Sequence, residues 1–130
     1  MNPLTLEWIE KGEGDILTAS REFRARRQPN YDAVCFHAQQ SAEKYLKAFL
    51  QENNVHIPKI HDLLELLSIC LEIDGTFQLL HAGLNLLEGY AIEFRYPGRF
   101  ADKENARIAL KSARTVRKFM RARLGLADIT

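Results

Sequence analysis

The stretch from Tyr31 to Glu52 constrains the fold more than any other part of the chain, because on a helix it is apolar on most sides. Its apolar positions are Val34, Cys35, Phe36, Ala38, Ala42, Tyr45, Leu46, Ala48, Phe49 and Leu50. Its main polar stripe, at helical spacing, is His37, Gln40, Lys44, Lys47 and Gln51. A helix that is apolar over so much of its circumference belongs at the centre of a helical bundle.

Four further segments show the same 3.6-residue period, while the alternation typical of strands is nearly absent. They run from about Leu6 to Arg27, from the HDLLELL stretch to about Glu72, from just after Gly75 to about Phe94, and from about Asp102 to Leu124. The first is predicted to bury Leu6, Ile9, Ile16, Leu17, Ser20 and Phe23. The segment after Gly75 is predicted to turn a stripe inward that consists of Phe77, Leu80, Leu84, Leu87, Ala91 and Phe94. Short connections favour antiparallel neighbours. We therefore predict an all-α, up-and-down antiparallel bundle of four to five helices, forming a single domain over residues 1–130.

Composition excludes several classes of protein. Mean hydropathy is −0.27 and the longest apolar runs are a few residues, so no membrane span is predicted. The first residues lack the pattern of a secretion signal, and we expect a cytoplasmic protein. Cys35 and Cys70 are predicted to be buried thiols. The four histidines form no metal-binding motif, and no phosphate loop or nucleophile elbow is present. No cofactor or metal is expected.

Charge is unevenly distributed along the chain. Residues 1–90 contain 8 Lys and Arg against 13 Asp and Glu, and residues 91–130 contain 10 against 4. A basic row on the last helix consists of Lys103, Arg107, Lys111, Arg114, Lys118 and Arg121. This row is either a solvated face or a surface that contacts phosphate or an acidic partner, because clustered cations raise the local concentration of anions.

The segment EFRYPGRF places two arginines among aromatic residues at a turn. Pro97 and Gly98 account for the turn itself. Arg95, Tyr96 and Arg99 are candidates for an anion clamp, since a guanidinium binds phosphate in a forked geometry while a ring stacks on a base. The alternative is structural: Arg95 would pair with an acidic residue of its own helix, Glu88 or Glu93, while Tyr96 and Phe100 would close the end of the bundle.

Three stretches together resemble the HEPN family, which is named for its occurrence in higher eukaryotes and prokaryotes. They are CFHAQQSAEKYLKAFL (Cys35–Leu50), HDLLELL (His61–Leu67) and FRYP (Phe94–Pro97), in the order and spacing of the family. The resemblance implies a helical bundle that commonly forms a homodimer and binds a nucleotide or RNA. It also implies a minimal nucleotidyltransferase as partner, in a toxin–antitoxin pair or as a substrate-binding subunit. Many family members are metal-independent ribonucleases.

The chain lacks the motif of the ribonuclease branch, an arginine followed after four to six residues by a histidine. We therefore expect a non-catalytic module that binds a nucleotide or RNA phosphate. The expected site combines the clamp with a neighbouring groove lined by His61, His37, Gln40, Lys44 and Lys47.

Two alternatives remain from the sequence. One is a ribonuclease toxin with a degenerate site, completed across a dimer by Arg95 and Tyr96 with a histidine from elsewhere. The other is a purely structural interaction module, which apolar residues outside the main stripes favour: Phe36, Leu46, Leu79, Leu86 and Ile92.

Overall fold

The computed structural model describes residues 1–57 and 59–129, and the secondary structure of these residues is entirely helical. The five α-helices are α1 (Pro3–Phe23), α2 (Tyr31–Glu52), α3 (Leu63–Ile73), α4 (His81–Glu93) and α5 (Lys103–Arg123). A 3₁₀ helix, Gly75–Leu80, directly precedes α4. The predicted all-α class is confirmed. Within the described residues, no helix combines the length and hydropathy needed to cross a bilayer.

Hydrogen bonds between helices fix their directions. Thr5, near the start of α1, donates its hydroxyl to Glu52 Oε1 at the end of α2, at 3.0 Å. Asn105, near the start of α5, donates to the hydroxyl of Tyr90 near the end of α4, at 3.3 Å. Helices α1 and α2 are therefore antiparallel, as are α4 and α5, and α2 packs against both members of the second pair. This is the predicted up-and-down bundle.

The second helix occupies the centre of the bundle and contacts all four other α-helices. Its predicted boundaries, Tyr31 and Glu52, match the structure, and Asn30 caps its start by accepting a hydrogen bond from the amide of Ala33. Most of the predicted apolar positions are buried, although Phe36 is exposed. The central position of this helix is confirmed.

The predicted boundaries of the first helix were wrong at both ends. It begins earlier because Asn2 accepts a hydrogen bond from the amide of Leu4, and proline suits the first helical position. It ends at Phe23 rather than Arg27. The connection to α2 instead contains Gln28 in a left-handed conformation, with φ of 47°.

The predicted buried face of α1 was partly wrong as well. Leu6 and Leu17 are exposed, whereas Gly12 and Asp15 face inward. Gly12 is required by close packing, because a Cβ atom at this position would lie 3.2 Å from a ring carbon of Tyr45. This face brings a carboxylate, Asp15, against the central helix.

Side-chain caps also define the later helices. Asp62 accepts hydrogen bonds from the amides of Leu64 and Glu65 at the start of α3. Asp102 and Asn105 form a reciprocal capping box at the start of α5. The predicted fourth helix is divided: its first turns are 3₁₀, and the α-helix begins only at His81. Its predicted inward stripe is nevertheless buried at Phe77, Leu80, Leu84 and Leu87.

The two glycines of α1 should respond oppositely to substitution. Gly12→Leu is expected to lower the free energy of unfolding by about 1–3 kcal/mol, because the new side chain collides with the Tyr45 ring. Gly14→Ala is the matched control. A Cβ at Gly14 meets nothing within 4 Å, and alanine should add about 0.5–1 kcal/mol through its helix propensity. Urea unfolding followed by circular dichroism measures both, and equal effects would contradict this packing.

Candidate functional site

The eight residues predicted to bind an anion lie in three different environments. The first contains Arg95, Tyr96 and Arg99, at and beyond the end of α4. The second contains His37 and Lys44, on the face of α2 that meets α1. The third contains Gln40, Lys47 and His61, where α2 meets the segment before α3. The eight residues thus fall into three groups by the partners that they contact.

Asp15 of α1 engages two of the predicted ligands. Its Oδ1 atom lies 2.8 Å from Nδ1 of His37, and its Oδ2 atom accepts a hydrogen bond from the ammonium group of Lys44. The Asp15 side chain is only 10% exposed. A buried carboxylate is stable only with such partners, so His37 and Lys44 serve the contact between α1 and α2.

Glu43 likewise pairs with two of the predicted ligands, Lys47 and His61. Its Oε2 atom lies 3.1 Å from Nζ of Lys47 and 3.1 Å from Nδ1 of His61. The Glu43 and Lys47 side chains are 5% and 7% exposed, whereas the His61 side chain is mostly in solvent. The ammonium group of Lys47 also lies 5.5 Å from the centre of the Trp8 ring, within the range of a cation–π interaction.

Two glutamines of α2 add further hydrogen bonds beside Glu43. Gln40 donates to Oε1 of Gln39 at 2.8 Å, and Gln39 donates to the carbonyl of His61 at 3.4 Å. Oε1 of Glu43 is buried and has no hydrogen-bond partner among the described residues. Four polar residues of the CFHAQQSAEKYLKAFL stretch thus connect α2 to α1 or to the segment before α3: His37, Gln39, Glu43 and Lys44.

The sequence reading missed both acidic partners, Asp15 and Glu43. A signal for Asp15 was available, because it falls on the inward register of Ile9, Gly12 and Ile16. Its pairing with α2 depends on how the two helices are aligned, which their separate periodicities do not specify.

Arg95 has a different environment from the lysines of α2. It borders a cleft of about 360 Å³ between the start of α2 and the end of α4. The other lining residues are Asn30, Asp32, Ala33, Cys35, Phe36, Tyr90, Ala91 and Phe94. The Arg95 guanidinium makes no hydrogen bond or ion pair with any described residue.

The structural alternative for Arg95 does not match its surroundings. Glu88 accepts a hydrogen bond from the amide of Leu63 at 2.9 Å, and Glu93 lies 3.8 Å from the guanidinium of Arg99. Tyr96 and Phe100 are exposed, so neither closes the end of the bundle. Arg95 therefore remains available to a ligand.

Two further groups in the cleft define its chemistry. Asp32 accepts a hydrogen bond from the amide of Ala101 at 2.6 Å, which fixes its carboxylate near the start of α2. Burial, together with the negative charges of Asp32 and Asp102, raises the pKa of the Cys35 thiol to about 12. This thiol stays protonated at neutral pH and is not an activated nucleophile.

The histidines do not assemble a metal centre. Among residues 1–57 and 59–129, no group of three or more His, Cys, Asp and Glu side chains is arranged to hold a metal ion. His37 and His61 are engaged by separate carboxylates, as described above, and none of the four histidines lines the Arg95 cleft.

A comparison with known protein families gives the same answer as the helical fold and the sequence motifs. The HEPN domain model matches residues 5–123, which is nearly the whole chain, and the protein belongs to the HEPN family. Membership in this family points to a function related to nucleotides or RNA. No curated protein and no solved structure matches the chain.

Removing only one member of the Glu43–Lys47 ion pair should lower the free energy of unfolding strongly. Glu43→Ala leaves the Lys47 ammonium buried without its partner and is expected to lower the free energy of unfolding by about 3–5 kcal/mol. The double variant Glu43→Leu/Lys47→Met removes both charges and should recover most of that loss. Urea unfolding measures both changes.

Glu104→Ala supplies the control for this experiment, because it breaks an exposed ion pair with Arg107. It should leave the urea midpoint nearly unchanged. If Glu43→Ala were equally neutral, the role assigned to the Glu43 carboxylate would be wrong.

Proposed function

We propose that this HEPN domain is a non-catalytic module that binds a nucleotide or an RNA phosphate in the cleft between α2 and α4. The observation that carries the proposal is the Arg95 guanidinium, which has no partner among the described residues and borders a cleft lined with aromatic rings. A cytoplasmic location is part of the proposal.

The chemistry of the cleft suits a nucleotide. A guanidinium donates paired hydrogen bonds to phosphate oxygens, which matches Arg95. Phe36, Tyr90 and Phe94 offer ring surfaces on which a base can stack. The Asp32 carboxylate provides an acceptor for a ribose hydroxyl or a base amino group. A volume of about 360 Å³ falls within the usual range for small-ligand sites.

Tyr96 and Arg99 extend the site toward solvent in this proposal. The contact of Arg99 with Glu93 is long and exposed, and such surface pairs are weak, so a phosphate can replace the carboxylate. His61 and Lys47 line a separate opening of about 590 Å³. They would contact a longer ligand, whereas His37, Gln40 and Lys44 support α2.

Binding without cleavage is favoured by what surrounds Arg95. Ribonuclease chemistry requires a group that moves a proton, and histidine is the side chain best suited to this at neutral pH. No histidine lines the cleft, and Cys35 is held as a neutral thiol. The chain also lacks the Arg-x4-6-His motif.

A protein partner is the second part of the proposal. Exposed apolar side chains surround the cleft and the turn beyond α4: Phe36, Ile92, Tyr96 and Phe100. Uncovered aromatic residues of this kind are typical of interaction surfaces. We propose that a second copy of the chain covers Ile92 and Phe100 in a homodimer, beside the cleft. A minimal nucleotidyltransferase is the proposed partner protein, in a toxin–antitoxin pair or as the catalytic subunit that acts on the bound nucleotide.

Removal of Arg95 tests the proposed binding site. Arg95→Ala is expected to weaken binding of ATP, GTP or a short RNA by about tenfold or more, because charge-assisted hydrogen bonds to phosphate are lost. Isothermal titration calorimetry at up to millimolar ligand measures the affinity. Arg107→Ala, which removes an exposed arginine paired with Glu104, is the control and should bind as the wild type does. Failure of the wild type to bind any of the three ligands would refute the proposal.

The apolar surface predicts a change in self-association. Phe100→Ser should raise the dimer dissociation constant by about tenfold, because an exposed aromatic residue leaves the proposed interface. Sedimentation velocity at tens of micromolar measures the distribution of monomer and dimer. Leu79→Ser is the matched control, since Leu79 is equally exposed, at 79%, and lies in the 3₁₀ helix. A wild-type protein that is entirely monomeric would contradict the homodimer.

A further inference from the structure

A second cleft lies between α1 and α5, on a different pair of helices from the cleft at Arg95. Its volume is about 370 Å³. The lining residues that define its character are Glu13, Gly14, Leu17, Arg24, Arg114 and Arg117. None of them lines the α2–α4 cleft. Three arginines thus border one opening in the surface.

The protein neutralises these arginines only partly. Glu13 is the single acidic residue in the lining, and its two oxygens accept hydrogen bonds from Tyr45 and, at 3.4 Å, from Arg117. Arg114 donates to the uncharged hydroxyl of Ser20 at 3.0 Å. Arg24 has no ion pair within the described part of the chain. Three guanidinium groups therefore share one carboxylate.

The energetic consequence appears at Arg114. Desolvation lowers the pKa of its guanidinium, and the positive charges of Arg117 and Arg24 lower it further. Mutual repulsion of this kind is relieved when an anion enters between the cations.

Most other arginines of α5 have partners in the protein. Arg107 pairs with Glu104, Arg123 contacts Asp74, and Arg121 donates to the carbonyl of Ala127. Among the arginines of α5, Arg114 has neither a carboxylate nor a carbonyl partner in the described residues, and it lies near the middle of the helix, where the helix dipole does not account for it.

We propose that the α1–α5 cleft binds a phosphate group of a single-stranded nucleic acid. Guanidinium forks match phosphate oxygens, and three of them can surround one group. Arg21, Arg26 and Arg27 flank Arg24 without an ion pair in the described residues, and they continue the positive charge for the next phosphates. Leu17, exposed beside the arginines, offers an apolar contact for a sugar or base.

This cleft is independent of the proposed nucleotide site. It would guide a strand along α1 and α5, whereas the Arg95 cleft would hold a nucleotide unit between α2 and α4. The whole chain has a net charge of only +1, so overall basicity does not account for binding of this kind, and the local cluster must supply it.

Charge removal tests the proposal. Fluorescence anisotropy with a labelled oligouridylate of about 12 nucleotides should show about tenfold weaker binding for Arg24→Gln/Arg114→Gln than for wild type. The slope of log K against log salt should fall in magnitude by up to about 0.7, the value for one lost phosphate contact on a single strand. Lys103→Gln/Arg107→Gln removes the same charge from the exposed start of α5 and should change binding little.

A steric variant tests the same cleft without changing any charge. A Cβ at Gly14 meets nothing within 4 Å, so Gly14→Leu should fold and place its side chain in the open space. It should weaken oligouridylate binding to a similar degree, with a thermal unfolding transition that is not lowered and rises slightly, because leucine favours a helix more than glycine does. If both the charge variant and the steric variant bind as the wild type does, the proposal is overturned.

Competitors identify the chemical group that is recognised. Displacement of the oligonucleotide by inorganic pyrophosphate would show that a free phosphate is sufficient, while retention would show that the strand must present it. Equally effective displacement by poly-L-glutamate of matched charge would overturn the assignment to phosphate. Arg95→Ala, measured with ATP, reports on the α2–α4 cleft alone, so failure at one cleft is distinguishable from failure at the other.

Discussion

The rest of the structure depends on one interaction: acidic side chains neutralise the lysines of α2 where this helix meets its neighbours. This helix is surrounded by the other four, yet it carries two lysines that lie against its neighbours. An uncompensated ammonium group in such a position would cost several kcal/mol, roughly the margin by which a small domain is stable. Asp15 from α1 and Glu43 from α2 itself remove that cost, and they fix how α1 and the segment before α3 meet α2.

This arrangement decides which cations are available for binding. Lys44, Lys47 and His37 have acidic partners within the bundle, and their part in a binding groove stays a prediction. Positive charge without a full partner borders both clefts, at Arg95 beside the α2–α4 cleft and at the arginines of the α1–α5 cleft. Because the HEPN family is associated with nucleotides and RNA, we interpret both places as candidate sites for a phosphate group.

Periodicity predicted the helices well and the contacts between them poorly. The limits of α2 and the inward stripe from Phe77 to Leu87 were predictable, because burial repeats with the helical period. The buried face of α1 was not, since Leu17 is apolar yet exposed and Gly12 is buried by contact with Tyr45. The partner of Lys44 is Asp15, which lies 29 residues away in the sequence, and Arg95 has no side-chain partner in the described residues. Neither could be predicted from the period of a single helix, because both depend on how whole helices are aligned.

The two clefts present their arginines in different ways. In the α1–α5 cleft, Tyr45 of the core donates to Glu13, and Glu13 in turn holds Arg117 through one long hydrogen bond. Burial and the bond to Glu13 raise the pKa of the Tyr45 hydroxyl, so this support persists across the neutral range. Arg117 is held by Glu13 without losing its remaining donors, whereas Arg95 lies in the turn after α4 without any acidic partner in the described residues. A phosphate at Arg117 therefore meets a guanidinium that is already oriented, which lowers the cost of ordering on binding, whereas a phosphate at Arg95 meets a guanidinium that must still be ordered but has no carboxylate to displace.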